Sequence, residues 1–169
     1  MIEIKQVTNK KELKQFVTFP FKLYKDCKYW VPPLIKDEME TLDKAKNPVF
    51  KNAEAWYFLA YKDGKIAGRI SVIINQLEVE EQNKKKVRFG WFDVIDDIEV
   101  TKALLEKVYE IGAQHNLEYT EGPVGFSNME KAGILTMGFE ELNTMITWYH
   151  YPYYAKHFEE LGFENKPLG

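Results

Sequence analysis

The 169 residues have the length of a single domain, and 23 lysines and arginines against 26 aspartates and glutamates leave a formal net charge of −3, which supplies no basic field for a nucleic-acid partner. One cysteine, Cys27, excludes an internal disulfide and leaves a cysteine-based metal site without ligands. Neither a signal-peptide core nor a run near the ~20 apolar residues of a membrane span is present, so the expectation is one cytoplasmic domain, 1–169, without a membrane partner.

Residues 2–7 (IEIKQV) alternate and are β-branched, which predicts a short strand. Thr8 or Asn9 can cap the next element, with Glu12 placed to bond back. Leu13, Phe16, Val17 and Phe21 recur at helical spacing between Lys10 and about Tyr24. Pro20 inside that pattern predicts a kink, or a stop near Phe19. Tyr29-Trp30-Val31-Pro32-Pro33 reads as a stiff, extended connection into a helix over roughly 33–43, and Asn47-Pro48 as a turn.

The clearest β signal follows. Residues 55–62 and 66–75 are apolar runs joined through Asp63-Gly64-Lys65, and Asp-Gly between strands predicts a hairpin because glycine takes positive φ cheaply. The polar stretch 76–86 reads as a surface loop or a frayed strand end, and 87–95 (VRFGWFDVI) as a third long strand. Asp96 and Asp97 precede an amphipathic helix over about 98–115, whose apolar side carries Ile98, Ala103, Leu104, Val108 and Ile111. A short strand at 118–121 ends at Gly122-Pro123. Residues 124–147 stay open between a loop and a short helix lining a cleft, and Pro152 opens a last helix, about 152–161, that stops at Gly162. The order β-α-α-β-β-β-α-β-(loop)-α is an α/β (α+β) arrangement with a mixed, mostly antiparallel sheet flanked by helices, not a doubly wound unit.

That order, the strand–helix–strand unit 87–121 and the late helix ending Leu161-Gly162-Phe163-Glu164 resemble the acyl-CoA N-acyltransferase (GNAT) superfamily. The strings Val31-Pro32-Pro33-Leu34, Asn47-Pro48-Val49-Phe50, Gly68-Arg69-Ile70, Phe89-Gly90-Trp91-Phe92, Glu121-Gly122-Pro123 and Tyr151-Pro152-Tyr153-Tyr154 are similar to an uncharacterised bacterial GNAT-like family. The resemblance implies a chain that stops before the superfamily's last two strands, as the N-terminal portion of a longer protein or with an open sheet edge that a second copy completes. It also implies amine attack on acetyl-CoA or another acyl-CoA. Asp93 would remove the amine proton, N–H groups near Val94 and Ile95 would bind the thioester oxygen, and Tyr153 or Tyr154 would protonate the thiolate. Asn128 would contact a substrate amide or the pantetheine arm.

This sequence departs from the superfamily where the donor's pyrophosphate is usually held. With Leu104-Leu105 aligned on the superfamily's Leu-Leu, the cradle becomes Asp96-Asp97-Ile98-Glu99-Val100-Thr101, without a glycine and with three carboxylates. These favour the helix dipole but repel a diphosphate. Phe158 stands where many such enzymes have their tyrosine acid. The alternative reading is therefore a ligand- or protein-binding domain that no longer transfers acyl groups. Plainer readings also stand beside each candidate: helix caps for Asp96, Asp97 and Glu99, an edge or solvent-facing polar group for Asp93, packing for Tyr153 and Tyr154, an Asx-turn for Asn128, an exposed-face arginine for Arg69 and a solvated loop for Lys84-Lys85-Lys86. The histidines His115, His150 and His157 are scattered without ligand spacing, and Ser71 and Ser127 lie in no nucleophile elbow.

Overall fold

In the computed structural model, which describes residues 1–27, 30–122 and 152–162, the chain runs β1 (Ile2–Gln6), α1 (Lys10–Leu23), α2 (Ile35–Leu42), β2 (Ala53–Lys62), β3 (Lys65–Asn75), β4 (Lys86–Val94), α3 (Ile98–Gln114), β5 (Tyr119–Glu121) and α4 (Pro152–Glu160). The open segment 124–147, with Asn128 and Ser127, and also Trp148 and His150, lies outside the described residues. The five strands lie in sequence order, antiparallel from β1 to β4 and parallel between β4 and β5. The β2–β3 turn has both central residues at positive φ, Asp63 at 51° and Gly64 at 83°, the geometry that matches the twist of a tight hairpin.

Every residue of β4 is buried, because helices cover both faces of the sheet. On one face Val87, Phe89, Phe92 and Val94 pack with Val100, Leu104 and Val108 of α3 and with Tyr154 and Phe158 of α4. On the other face Phe16 and Val17 of α1 and Leu42 at the end of α2 meet Tyr57, Leu59, Ile73 and Trp91.

Helix α1 does not stop near Phe19: it continues through Pro20 to Leu23. A proline in a helix removes the donor for the carbonyl four residues earlier. That carbonyl is Phe16 O, which accepts a hydrogen bond from Arg69 Nη1 at 3.0 Å. A side chain from β3 thus replaces the missing backbone donor, and the helix continues. The stretch 76–86 is exposed at Leu77 and from Glu80 to Lys85, as a surface loop would be, but it is ordered and anchored at two points. Leu77–Glu81 forms one π-helical turn, with Glu78 buried beneath it and Lys86 buried at the start of β4.

Strands β4 and β5 pair over only three residues, Lys86 to Arg88 against Tyr119 to Glu121. Just beyond, the backbone of Gly122 presses on Phe89: a Cβ at Gly122 would sit 2.6 Å from both Phe89 O and Phe89 Cδ1. Gly122→Ala is therefore expected to cost about 1–3 kcal/mol, since backbone cannot yield as a side chain can. Gly112→Ala is the control, because there the tightest neighbour is a side-chain methyl, Val87 Cγ1 at 3.1 Å, and alanine favours the helix by roughly 0.5–1 kcal/mol. Urea midpoints measure both, and a Gly122→Ala midpoint no lower than that of Gly112→Ala would contradict this close approach.

Candidate functional site

A one-residue insertion in β4 builds the site. Arg69 pairs with Asp93 and Ser71 with Gly90, so Trp91 and Phe92 together oppose the single residue Ile70. Trp91 takes φ 42°, in the left-handed region, at a strain of roughly 1–3 kcal/mol. Its burial among α1 and α2 side chains, and its Nε1 contacts to the Glu38 carboxylate at 3.3 and 3.4 Å, hold it there. The bulge shifts the side-chain alternation by one position. Val87 and Phe89 before it, and Phe92 and Val94 after it, all face α3 and α4, so Asp93 is turned to the α1 face beside Arg69.

Asp93 is 6% exposed and is not the edge or solvent-facing group of the plainer reading. Arg69, also 6% exposed and not an exposed-face arginine, donates to Asp93 Oδ2 from Nε at 2.9 Å and Nη2 at 2.8 Å. Its guanidinium lies over the Phe16 ring, 5.1 Å from the centroid. Asp93 Oδ1 accepts from Tyr24 O–H at 2.9 Å and from Tyr154 O–H at 3.2 Å, and the two hydroxyl oxygens are 2.9 Å apart. Burial first, and the Asp93 charge second, hold both phenols well above their ordinary value. They stay protonated at neutral pH and act as donors.

Helix α4 brings its two tyrosines to the β4 edge. Val94 N–H donates to Tyr154 Oη at 3.0 Å, and Tyr153 O–H donates to Val94 O at 2.6 Å. Thus Asp93, Tyr153, Tyr154 and Val94 share one centre, and Phe158 lies in the apolar layer behind it, 5.0 Å from Phe92 between ring centroids. Ile95 is placed differently: its N–H donates to Ala67 O at 2.9 Å, continuing the β3 ladder.

The start of α3 is capped from within. Asp97 Oδ1 accepts from Glu99 N–H at 3.0 Å, while its Oδ2 holds Lys62 Nζ. That contact keeps Asp97 below the usual carboxylate range, against a smaller opposing effect of burial. Val100 and Thr101 are buried under the helix, Ile98 is half-buried and Glu99 is exposed. The fully buried Thr101 hydroxyl meets His157 Nδ1 at 2.8 Å, and His157 Nε2 meets Asp96 at 3.1 Å. These contacts tie the start of α3 to α4. Asp97 is thus a cap and Asp96 an anchor. Among the described residues, no group of three or more His, Cys, Asp or Glu is placed to hold a metal.

Sequence reasoning missed Tyr24, Arg69 and the His157 chain. One signal was readable for Arg69: a lone charge at the centre of the apolar run Ile66–Ile74.

No family model matches the sequence. It is 34% identical over 162 residues, 95% of this chain and 41% of the relative, to Protein YghO of Escherichia coli (strain K12). It is 31% identical over 154 residues, 90% of this chain and 40% of the relative, to the bacterial ceramide synthase of Caulobacter vibrioides (strain NA1000 / CB15N). The chain spans about two fifths of the length of these two curated relatives. Among solved structures, a predicted acetyltransferase with acetyl-CoA from Clostridium acetobutylicum superposes with a TM-score of 0.62 at 9% identity, covering 100% of this chain and 94% of that one. An identity that low speaks for architecture and not for reaction, and the architecture is plain: the chain has the fold of the acyl-CoA N-acyltransferase (GNAT) superfamily.

Proposed function

We propose that this chain carries the acyl-transfer centre of an N-acyltransferase, in which an amine attacks an acyl thioester. The observation that supports it is the buried Asp93 carboxylate, on β4 beyond Arg88, where the pairing with β5 has ended, and contacted by two phenol donors. Amide formation needs a group to take the amine proton and a donor for the departing thiolate. Asp93 serves as the first and Tyr154 as the second, with Tyr153 fixing the β4 edge through Val94 O. Val94 N–H, now bonded to Tyr154, is the donor for the thioester oxygen when that hydroxyl turns to the sulfur. The fold supports this reading, and so does one relative's name, since a ceramide is an amide of a long-chain amino alcohol.

Acyl-CoA is the donor that the fold implies, and its thioester end suits this centre. Its diphosphate does not fit the start of α3 as that turn stands, because the Glu99 N–H already holds the Asp97 carboxylate and Asp96 and Glu99 lie exposed beside it. No role in holding the diphosphate is assigned to Asp97, Ile98, Glu99, Val100 or Thr101. The same capped turn favours the second reading, a domain that binds a ligand without transferring acyl groups.

The test incubates the full chain with acyl-CoAs of graded chain length and a primary amine, following amide by mass spectrometry and free thiol by absorbance. Equimolar amide and thiol are expected, with a loss of about 10²–10⁴-fold in Asp93→Asn. Thermal stabilisation by acyl-CoA without amide would establish the binding reading, and neither effect would overturn both.

A further inference from the structure

We propose that Tyr24 carries the proton taken from the amine back to Tyr154 after each transfer, so that the buried centre resets from within. The inference deepens the acyl-transfer reading and rests on it. A transfer of that kind leaves two groups in the wrong protonation state. The amine N–H bond breaks and an O–H bond forms on Asp93. The C–N bond forms, the C–S bond breaks with its electron pair on sulfur, and the Tyr154 O–H bond breaks as S–H forms. Amide and thiol leave behind a neutral Asp93 and a Tyr154 phenolate. The next turnover needs one proton moved from the first to the second.

Solvent is poorly placed to move it, since Asp93 is 6% exposed, Tyr24 1% and Tyr154 0%. Asp93 Oδ2 offers no exit either, because it faces the Arg69 guanidinium, which donates but does not accept. Oδ1 has the hydroxyls of Tyr24 at 2.9 Å and Tyr154 at 3.2 Å. The direct contact to Tyr154 is longer than the ~3.0 Å limit of an ordinary O–H···O bond, and it is given up when that hydroxyl turns to the sulfur. Tyr24 spans the same two atoms by shorter links, 2.9 Å to Asp93 Oδ1 and 2.9 Å to Tyr154 Oη. A hydroxyl can give one proton while it accepts another. The Asp93 proton passes to Tyr24 as the Tyr24 proton passes to Tyr154, and the starting site returns with no proton gained or lost.

Driving force and geometry both favour this path. Burial is the larger cause that holds both phenols above their ordinary value, and it persists once Asp93 is protonated. A phenolate at Tyr154 beside a neutral carboxyl therefore takes up a proton readily. Tyr24 is held in place for the exchange by contacts that do not use its hydroxyl. Its ring stacks on Trp30, with centroids 5.3 Å apart and planes at 19°, and its N–H closes the end of α1 on Pro20 O at 2.8 Å. Tyr24→Phe keeps both of these contacts and removes the proton carrier alone.

The test mixes the full chain rapidly with saturating acyl-CoA and a primary amine, and follows amide through the first and the later turnovers in wild type and Tyr24→Phe. The first turnover uses the proton already on Tyr154. The variant is therefore expected to make one amide per chain at the wild-type rate or faster, and then to slow by about tenfold or more with KM unchanged, the scale of losing a positioned proton carrier. A first turnover slowed in the same proportion as the later ones would make Tyr24 a packing or orienting group. Later turnovers at the wild-type rate would mean that another route resets the centre. Either result overturns the inference and leaves the transfer reading standing, whereas no amide from wild type overturns both. A second variant guards against misfolding: 3-fluorotyrosine in place of Tyr24 keeps the shape and the hydroxyl and makes the phenol more acidic. It is expected to change the rate of the later turnovers and not of the first, and an equal effect on both, or none on either, would overturn the relay.

Discussion

Asp93→Ala is expected to lower the stability of the fold by about 3–5 kcal/mol, because it strands a buried guanidinium without its counter-charge. Arg69 is 6% exposed, and Asp93 Oδ2 receives both its Nε and its Nη2. Its remaining contact, Nη1 to Phe16 O, exists because Pro20 leaves that carbonyl without a helical donor. The loss thus spreads from β4 through β3 into α1, and Tyr24 and Tyr154 lose their shared acceptor as well. Arg69→Ala should cost a similar amount, by leaving the carboxylate unpaired and Phe16 O unsatisfied. The double variant should lose clearly less than the two single losses added, since residues in one network couple by about 0.5–3 kcal/mol. Urea unfolding of the four proteins in the cycle gives the coupling directly. Additive losses would mean that the ion pair does not organise the site.

What could be read in the sequence follows from how local each cause is. The β2–β3 hairpin depends on two adjacent residues, Asp63 and Gly64, and α3 on its own apolar stripe and its cap at Asp97, so both could be predicted. The stop expected near Phe19 does not occur because the proline rule is local, while the donor that relieves Pro20, Arg69, lies 53 residues from Phe16. Asp93 was named as a candidate, but its burial was not foreseen, because that depends on the bulge at Trp91. One trace of the bulge does lie in the sequence: the apolar alternation Val87, Phe89 resumes as Phe92, Val94, one step out of phase. Tyr24 gave no sign at all, since only the packing of α1 on the sheet brings its hydroxyl to β4. Tyr153 and Tyr154 came from the family resemblance, and their meeting with Val94 needed the placement of α4.

At the opposite end of β4, Glu78→Gln is expected to remove an acid-sensitive part of the stability. Glu78 is 7% exposed and holds Arg88 through two contacts, Nε at 2.7 Å and Nη2, while Lys86 Nζ lies 3.3 Å away and reaches Glu121 at 3.0 Å. Burial pushes the Glu78 carboxyl upward, but Arg88 and Lys86 outweigh it and hold the group below its ordinary value of 4.5. A carboxyl lowered in the folded state contributes stability that is fully present above its unfolded value and disappears as pH falls through the folded one. The gap in unfolding free energy between wild type and Glu78→Gln should therefore be widest near neutral pH, at about 3–5 kcal/mol, since glutamine leaves Arg88 and Lys86 with one partly exposed partner, Glu121. The gap should narrow below about pH 4.5, as the wild-type carboxyl takes up its proton and the two proteins come to carry the same charge at this position. Chemical unfolding from neutral pH down to about pH 3 measures it, and a gap that keeps its size across that range would mean that Glu78 stabilises the strand through shape and hydrogen bonds rather than charge.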